Sequence, residues 1–225
     1  MPELTLYRKD GACSFVPHAL LRHLAIPFKA IVMREGPDGY EAADGSLTHA
    51  EYLNINPLGY VPVLIVDGEV ITEMPAILTM IAHLAPDQEA GREMLGRTPL
   101  EKARVVEWMA WLSGSLHSLG FAAFWREYRF VEEHSECYPP VKEKGRKVIK
   151  QCFERIDKRL KGRNYAVGDA FTVVDFNLYL FWRWGNDIGF NMKERFPHYG
   201  LVLQNTEKLD SIRGAVREEG LSLYA

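Results

Sequence analysis

The chain has 225 residues, 47% of them apolar and 25% charged, with a net charge of −3 at pH 7. That is enough for one large or two small domains with a real core, and the near-balanced charge excludes a nucleic-acid or anionic-membrane surface as the organising feature. No stretch reaches the roughly 20 consecutive apolar residues of a membrane span. In chain order, Leu4-Thr5-Leu6-Tyr7 reads as a strand and Ser14 to Leu24 as a helix with Leu20, Leu21 and Leu24 on its apolar face. Phe28 to Met33 predicts a second strand. Val61 to Val66 and Val70 to Thr72, joined by Asp67-Gly68, predict a hairpin. Pro75 to Leu84 predicts a helix with Ile77, Ile81 and Leu84 inward, proline suiting its first turn. Residues 1–85 are thus expected to form a small α/β unit.

Ala85 to Gly91 is polar and helix-breaking, so residues 86–97 are expected to be a linker. From 98 to 225 no strand pattern appears. Thr98-Pro99-Leu100-Glu101 is a capping box that opens a helical pattern through Val105, Trp108, Leu112 and Leu116. Tyr138-Pro139-Pro140 interrupts it, and Val141 to Leu160 resumes it up to Gly162. Thr172-Val173-Val174-Asp175 caps an aromatic-rich helix reaching Trp184. Cys13, Cys137 and Cys152 are too few and too widely spaced for a disulfide framework and suit a reducing compartment. The opening segment, Met1 to Tyr7, has neither a basic n-region nor a small-residue cleavage site, so a cytoplasmic protein is expected.

Three segments of the α/β unit carry chemistry. Pro62 opens a strand in which proline lacks the ladder's donor. A cis Val61-Pro62 bond, turning nearby backbone outward to grip an extended peptide, is one reading; an edge-strand proline is the other. Glu73 and Met74 stand at the positive end of a helix. Either Glu73 takes an ammonium while the Met74 N–H takes a carboxylate, or Glu73 only complements the dipole. Cys13 and Ser14, after Gly11-Ala12, meet another helix start, where a thiol's pKa falls; an inert buried cysteine is the alternative. In the helical half, His117 is a polar group in an apolar stretch. Trp111, Phe121, Phe124, Trp125 and Trp184 recur at spacings shared by cores and pocket walls. His134-Ser135-Glu136-Cys137 has no second ligand pair, so no metal site is expected. Phosphate loops, dinucleotide fingerprints and nucleophile elbows are missing from the sequence. The run Lys142 to Lys147 is interrupted by Glu143 and reads as a solvated helix face.

The order and spacing of these segments resemble the cytosolic glutathione S-transferase superfamily, and within it the bacterial-type beta class. Tyr7 followed by Gly11-Ala12-Cys13-Ser14 and His18 is similar to that class's opening. So are Tyr52-Leu53-Asn54-Ile55-Asn56-Pro57 ahead of Val61-Pro62, Ser115-Leu116-His117, and Phe171 to Asp175 running on to Arg183-Trp184. The resemblance implies an α/β thioredoxin-like N-terminal domain followed by an all-α helical C-terminal domain, the glutathione transferase fold. It implies glutathione as co-substrate, held by Tyr60, Val61, a cis Pro62, Glu73 and Met74, with the sulfur served by Cys13, Ser14 or Tyr7. A second-substrate pocket for a hydrophobic electrophile would involve Trp111, His117, Phe121 and Trp184. A cytoplasmic homodimer is implied, with no metal, nucleic acid or membrane partner. Two departures stand out: the spacing from Tyr7 to Cys13 is one residue longer than the class pattern, and Met74 replaces a small or hydroxylated residue. Three further activities fit the same motifs: cis-trans isomerisation of a conjugated double bond, thiol reduction dependent on Cys13, and glutathione-fold binding without catalysis.

Overall fold

The computed structural model describes residues 2–224; Met1 and Ala225 lie outside the described residues. A five-stranded sheet occupies the N-terminal part in the order β3-β2-β1-β4-β5. β1 (Leu4–Arg8) is central, parallel to β2 (Lys29–Glu35) and antiparallel to β4 (Val63–Val66). The short strands β3 (Tyr40–Ala42) and β5 (Glu69–Ile71) close the edges in antiparallel fashion. α1 (Phe15–His23) crosses from β1 to β2, α2 (His49–Ile55) follows β3, and α3 (Met74–His83) follows β5.

Side-chain alternation explains the layers. Leu4 and Leu6, with Leu64 and Val66 of β4, face the core that includes Leu20 and Leu21 of α1 and Ile77 and Ile81 of α3. Tyr7, one position out of step, points to the opposite face, where Val63, Met33 and Ala42 meet Tyr52 of α2. The sequence pattern anticipates β1, α1, β2, the hairpin and α3, but neither β3 nor α2. β3 spans three residues and α2 buries only Tyr52, so neither carries a hydrophobic period.

The expected linker is partly helical. Asp87 caps α4 (Gln88–Met94), its carboxylate accepting from the N–H groups of Glu89 and Ala90 at 2.9 and 3.1 Å. Gly91 is less a breaker than a contact: a Cβ there would stand 2.1 Å from the Ala82 carbonyl oxygen at the end of α3.

The rest is helical. α5 (Pro99–Trp111) opens on the Thr98–Glu101 capping box and runs without a break through a widened π-helical stretch, Leu112–Phe121, into α6 (Ala122–Trp125). Residues 126–137 form the actual interruption, with two short turns, Glu127–Arg129 and Ser135–Cys137. Pro139 and Pro140 lie in the first turn of α7 (Tyr138–Leu160), where a missing N–H costs nothing. α8 (Val173–Asp187), opened by the Thr172–Asp175 box, is buried along nearly its whole length. α9 (Met192–Arg195), α10 (Pro197–Glu207) and α11 (Asp210–Glu218) complete the chain. One continuous core joins the two parts, with Phe15 and Leu20 packed into the cluster that holds Trp108, Phe176 and Tyr179. Among the described residues no helix is long and apolar enough to cross a membrane.

Candidate active site

The loop between β1 and α1 is tied from both sides. Gly11 sits at φ +70°, a left-handed conformation that glycine adopts without strain. Its N–H donates to Glu219 Oε2 at 2.8 Å and its carbonyl accepts from Trp184 Nε1 at 2.8 Å. Ser14 Oγ closes the same loop, accepting from the Lys9 N–H at 2.9 Å and donating to the Lys9 carbonyl at 3.0 Å. Cys13 is partly buried, and its thiol donates to the Val61 carbonyl, with Sγ 3.2 Å from the oxygen. Burial pushes that thiol up to about 11, against the lowering pull of the Arg126 guanidinium and the Cys13 and Ser14 backbone N–H groups. At neutral pH Cys13 is a protonated donor.

Across from Cys13, the Val61-Pro62 peptide bond is cis. The strand entry is fixed by two donors to the Tyr60 carbonyl, Tyr52 Oη at 2.7 Å and Asn56 Nδ2 at 2.8 Å. Glu73, just before α3, has φ +66°, a strained value for a residue with a side chain. Such strain concentrates at functional sites, and among the described residues the Glu73 carboxylate has no hydrogen-bond or ion-pair partner.

These groups open onto a cleft of about 580 Å³ between the sheet and the helical part. Its sheet-side wall includes Cys13, Tyr60, Val61, Pro62, Glu73 and Met74. Its opposite wall includes His117, Phe121, Trp125 and Trp184. The π-helical stretch builds that wall: the Ala122 N–H reaches the His117 carbonyl, five residues back. Widened turns of this kind are frequent at functional sites. His117 lies between Trp184 and Phe181, with ring centroids at 5.4 and 6.2 Å. Burial, helped by the Arg126 and Arg129 charges, lowers its pKa to about 4, so the ring is neutral at pH 7. At the rim, Lys9 pairs with Glu35 at 2.8 Å, Arg126 donates to the Tyr40 hydroxyl at 3.0 Å, and Arg129 stacks 4.0 Å from the Tyr60 ring centroid.

Four residues considered for the site do not line it. Tyr7 is not among the residues that line the cleft and packs 5.5 Å from Tyr52; burial pushes its hydroxyl up. Ser14 is fully buried, with its hydroxyl committed to Lys9. Trp111 lies edge-on to Trp108 at 5.8 Å beneath the Arg155 guanidinium at 4.7 Å. Phe124 likewise packs under Lys142 and Arg146 instead of lining the cleft. Conversely, the sequence reading misses Lys9, Glu35, Tyr40, Arg126 and Arg129, all at the cleft. Arg126 sits in irregular chain and Arg129 ends a single short turn, so no period assigns them a direction.

Known proteins share this architecture. The family model for the glutathione S-transferase N-terminal domain matches residues 12–84, and that for the C-terminal domain matches residues 122–206. A glutathione S-transferase of Xanthomonas campestris pv. campestris is 30% identical over 194 residues, covering 84% of this chain and 86% of that one. A sphingomonad glutathione S-transferase complexed with glutathione superposes with a TM-score of 0.80 at 28% identity, over 97% of this chain and 100% of that one. The beta-class enzyme of Sphingomonas chungbukensis gives a TM-score of 0.79 at 27% identity, with the same coverage. Kinship over most of the length, with both domains in the same order, makes this chain a member of the glutathione S-transferase family.

Proposed function

We propose that the chain conjugates glutathione to a small hydrophobic electrophile in the cleft. Residues 1–85 would then hold glutathione, 86–97 connect, and 98–225 supply the second-substrate wall. The γ-glutamyl ammonium pairs with Glu73 and its carboxylate meets the Met74 N–H at the start of α3. The cysteinyl backbone lies along Val61 beside Pro62 and Tyr60. The sulfur comes next to Cys13 at the start of α1, where the Cys13 thiol, turning its one proton from the Val61 carbonyl to the sulfur, and the helix end stabilise the thiolate. That thiolate attacks the electrophile, a carbon–sulfur bond forms, and the leaving group departs with the bonding electrons. Cys13 is preferred to Ser14 and Tyr7 for the sulfur contact, because their hydroxyls do not open into the cleft. We also take the protein to be a cytoplasmic homodimer, as its family resemblance implies.

The observation that carries this reading is the convergence of the partner-free Glu73 carboxylate, cis Pro62 and the Cys13 thiol on one side of an aromatic-walled cleft. The burial that pushes the Cys13 thiol up to about 11 weighs against disulfide chemistry at this residue. The test is an ultraviolet titration of thiolate absorbance in glutathione-saturated protein, against the protein alone. A bound-thiol pKa well below the roughly 8.5 of a free thiol supports conjugation. Binding with an unshifted thiol, or no binding at millimolar glutathione, refutes it.

A further inference from the structure

The charges around the cleft do not balance. Of its four carboxylates, Asp10 is taken by Arg8, Glu35 by Lys9 at 2.8 Å, and Asp187 accepts the Tyr224 hydroxyl at 2.8 Å. Only Glu73 is open. Of its three cations, Lys9 is paired, but Arg126 and Arg129 have no carboxylate partner among the described residues. Their acidic neighbour Glu127 turns instead to Lys142 at 3.5 Å. Arg126 spends one donor on the Tyr40 hydroxyl; Arg129 Nε is buried with no acceptor among the described residues. Both guanidiniums are steadied by the Tyr60 ring, at 5.9 and 4.0 Å. A buried donor left unmade is costly, and two oriented forks together fit a carboxylate.

We propose that Arg126 and Arg129 form an anion subsite that takes a carboxylate of the electrophile, so that the enzyme prefers aromatic or unsaturated acids. The proposal rests on the conjugation reading. Arg126 continues the turn that carries Ala122 and Trp125, its N–H bonded to the Ala122 carbonyl at 2.8 Å, so it extends the second-substrate wall. Both charges also act on His117 in that wall and on Cys13 opposite. A carboxylate held there leaves the apolar part of an acceptor against Phe121 and Trp184. The glycyl end of glutathione carries the same chemistry and is the rival occupant.

The probe is 4-chloro-3,5-dinitrobenzoate with its methyl ester as the uncharged twin. The glutathione thiolate displaces chloride, the carbon–sulfur bond replacing the carbon–chlorine bond, and the benzoate takes no part in the chemistry. The ratio of kcat/KM for acid over ester should fall about tenfold in Arg126→Gln and in Arg129→Gln. Arg126→Lys should restore part of it. An unchanged ratio overturns the proposal; if the KM for glutathione rises at the same time, the pair holds the glycyl carboxylate. Quenching of cleft tryptophan fluorescence by the acid gives its Kd without turnover. If the wild type binds the acid but neither twin is turned over, the conjugation reading fails. The subsite still stands or falls on whether both Gln variants weaken that Kd about tenfold.

Discussion

Cys13 is kept as a thiol by the loop that brings it to the cleft, and that fixes what its removal should do. A hydrogen bond to a charged sulfur is worth about 1.5–3 kcal/mol. At 1.36 kcal/mol per pH unit, losing it raises the bound glutathione pKa by about one to two units. Cys13→Ala should therefore keep conjugating, with the acid limb of its pH–rate profile displaced upward by that amount; complete loss of turnover would make Cys13 a nucleophile instead. His117 gives a second pH signature. Its pKa falls from 6.5 to about 4 on folding, through burial and the Arg126 and Arg129 charges. Between these values the unfolded chain binds the extra proton, so native stability decreases as pH falls from about 6.5 to about 4. His117→Phe removes this loss. Its stability relative to wild type should improve by on the order of 2 kcal/mol between pH 7 and pH 4.5 in urea titrations. A difference that does not change with pH would mean that His117 titrates normally in the fold.

At the level of elements, the cleft wall depends on how closely α7 approaches the rod formed by α5, the π-helical stretch and α6. Two glycines permit that approach. A Cβ on Gly145 would lie 2.8 Å from both the Gly120 carbonyl oxygen and the Phe124 nitrogen, and one on Gly120 would lie 2.9 Å from Ile149 Cγ1. Glycine costs about 1 kcal/mol relative to alanine inside a helix, so tight packing must offset it. Gly145→Ala should lose about 1–3 kcal/mol through overpacking, lower Tm by a few degrees and raise the acceptor KM as Phe121 and Trp125 shift. Gly114, in the same rod, has nothing within 4 Å of its would-be Cβ, and Gly114→Ala should raise Tm slightly. Equal effects at the two positions would show that propensity, not contact, governs the rod. Such contacts lie beyond a sequence reading, whereas linear signals do not. The Leu4–Tyr7 alternation and the boxes at Thr98–Glu101 and Thr172–Asp175 were readable because partner atoms lie within a few residues. Cys13, Val61-Pro62 and Glu73 were readable as a spaced set. Tyr7 and Trp111 do not line the cleft, because which side chains reach it depends on strand parity and helix placement. Arg126 and Arg129 acquire meaning only when the fold brings Tyr60 and Tyr40 to them.

Across the whole molecule, the helical part holds the loop that carries Cys13 by both polar groups of one residue, Gly11. Trp184 donates to the Gly11 carbonyl, and Glu219, just past the end of α11, accepts its N–H. The Glu219 side chain is fully buried and also meets His18 Nδ1 at 2.7 Å, with Arg8 at 3.8 Å. His18 in turn reaches Glu218, which pairs with Arg22 of α1. A single buried carboxylate thus links the chain's last helix, its first helix and the loop that carries Cys13. Removing one member of a buried charge cluster costs about 3–5 kcal/mol, because the others are left uncompensated. Glu219→Ala should destabilise by that order in urea unfolding, while Trp184→Phe, losing one neutral hydrogen bond and part of a buried ring, should cost about 1–3 kcal/mol. Both release Gly11, so their effects on glutathione Kd should couple in a double-mutant cycle instead of adding. Glutathione affinity that survives both changes, with stability reduced as expected, would show that β1 and α1 set the loop unaided. Coupled losses would show that the glutathione site is assembled by the C-terminal helices.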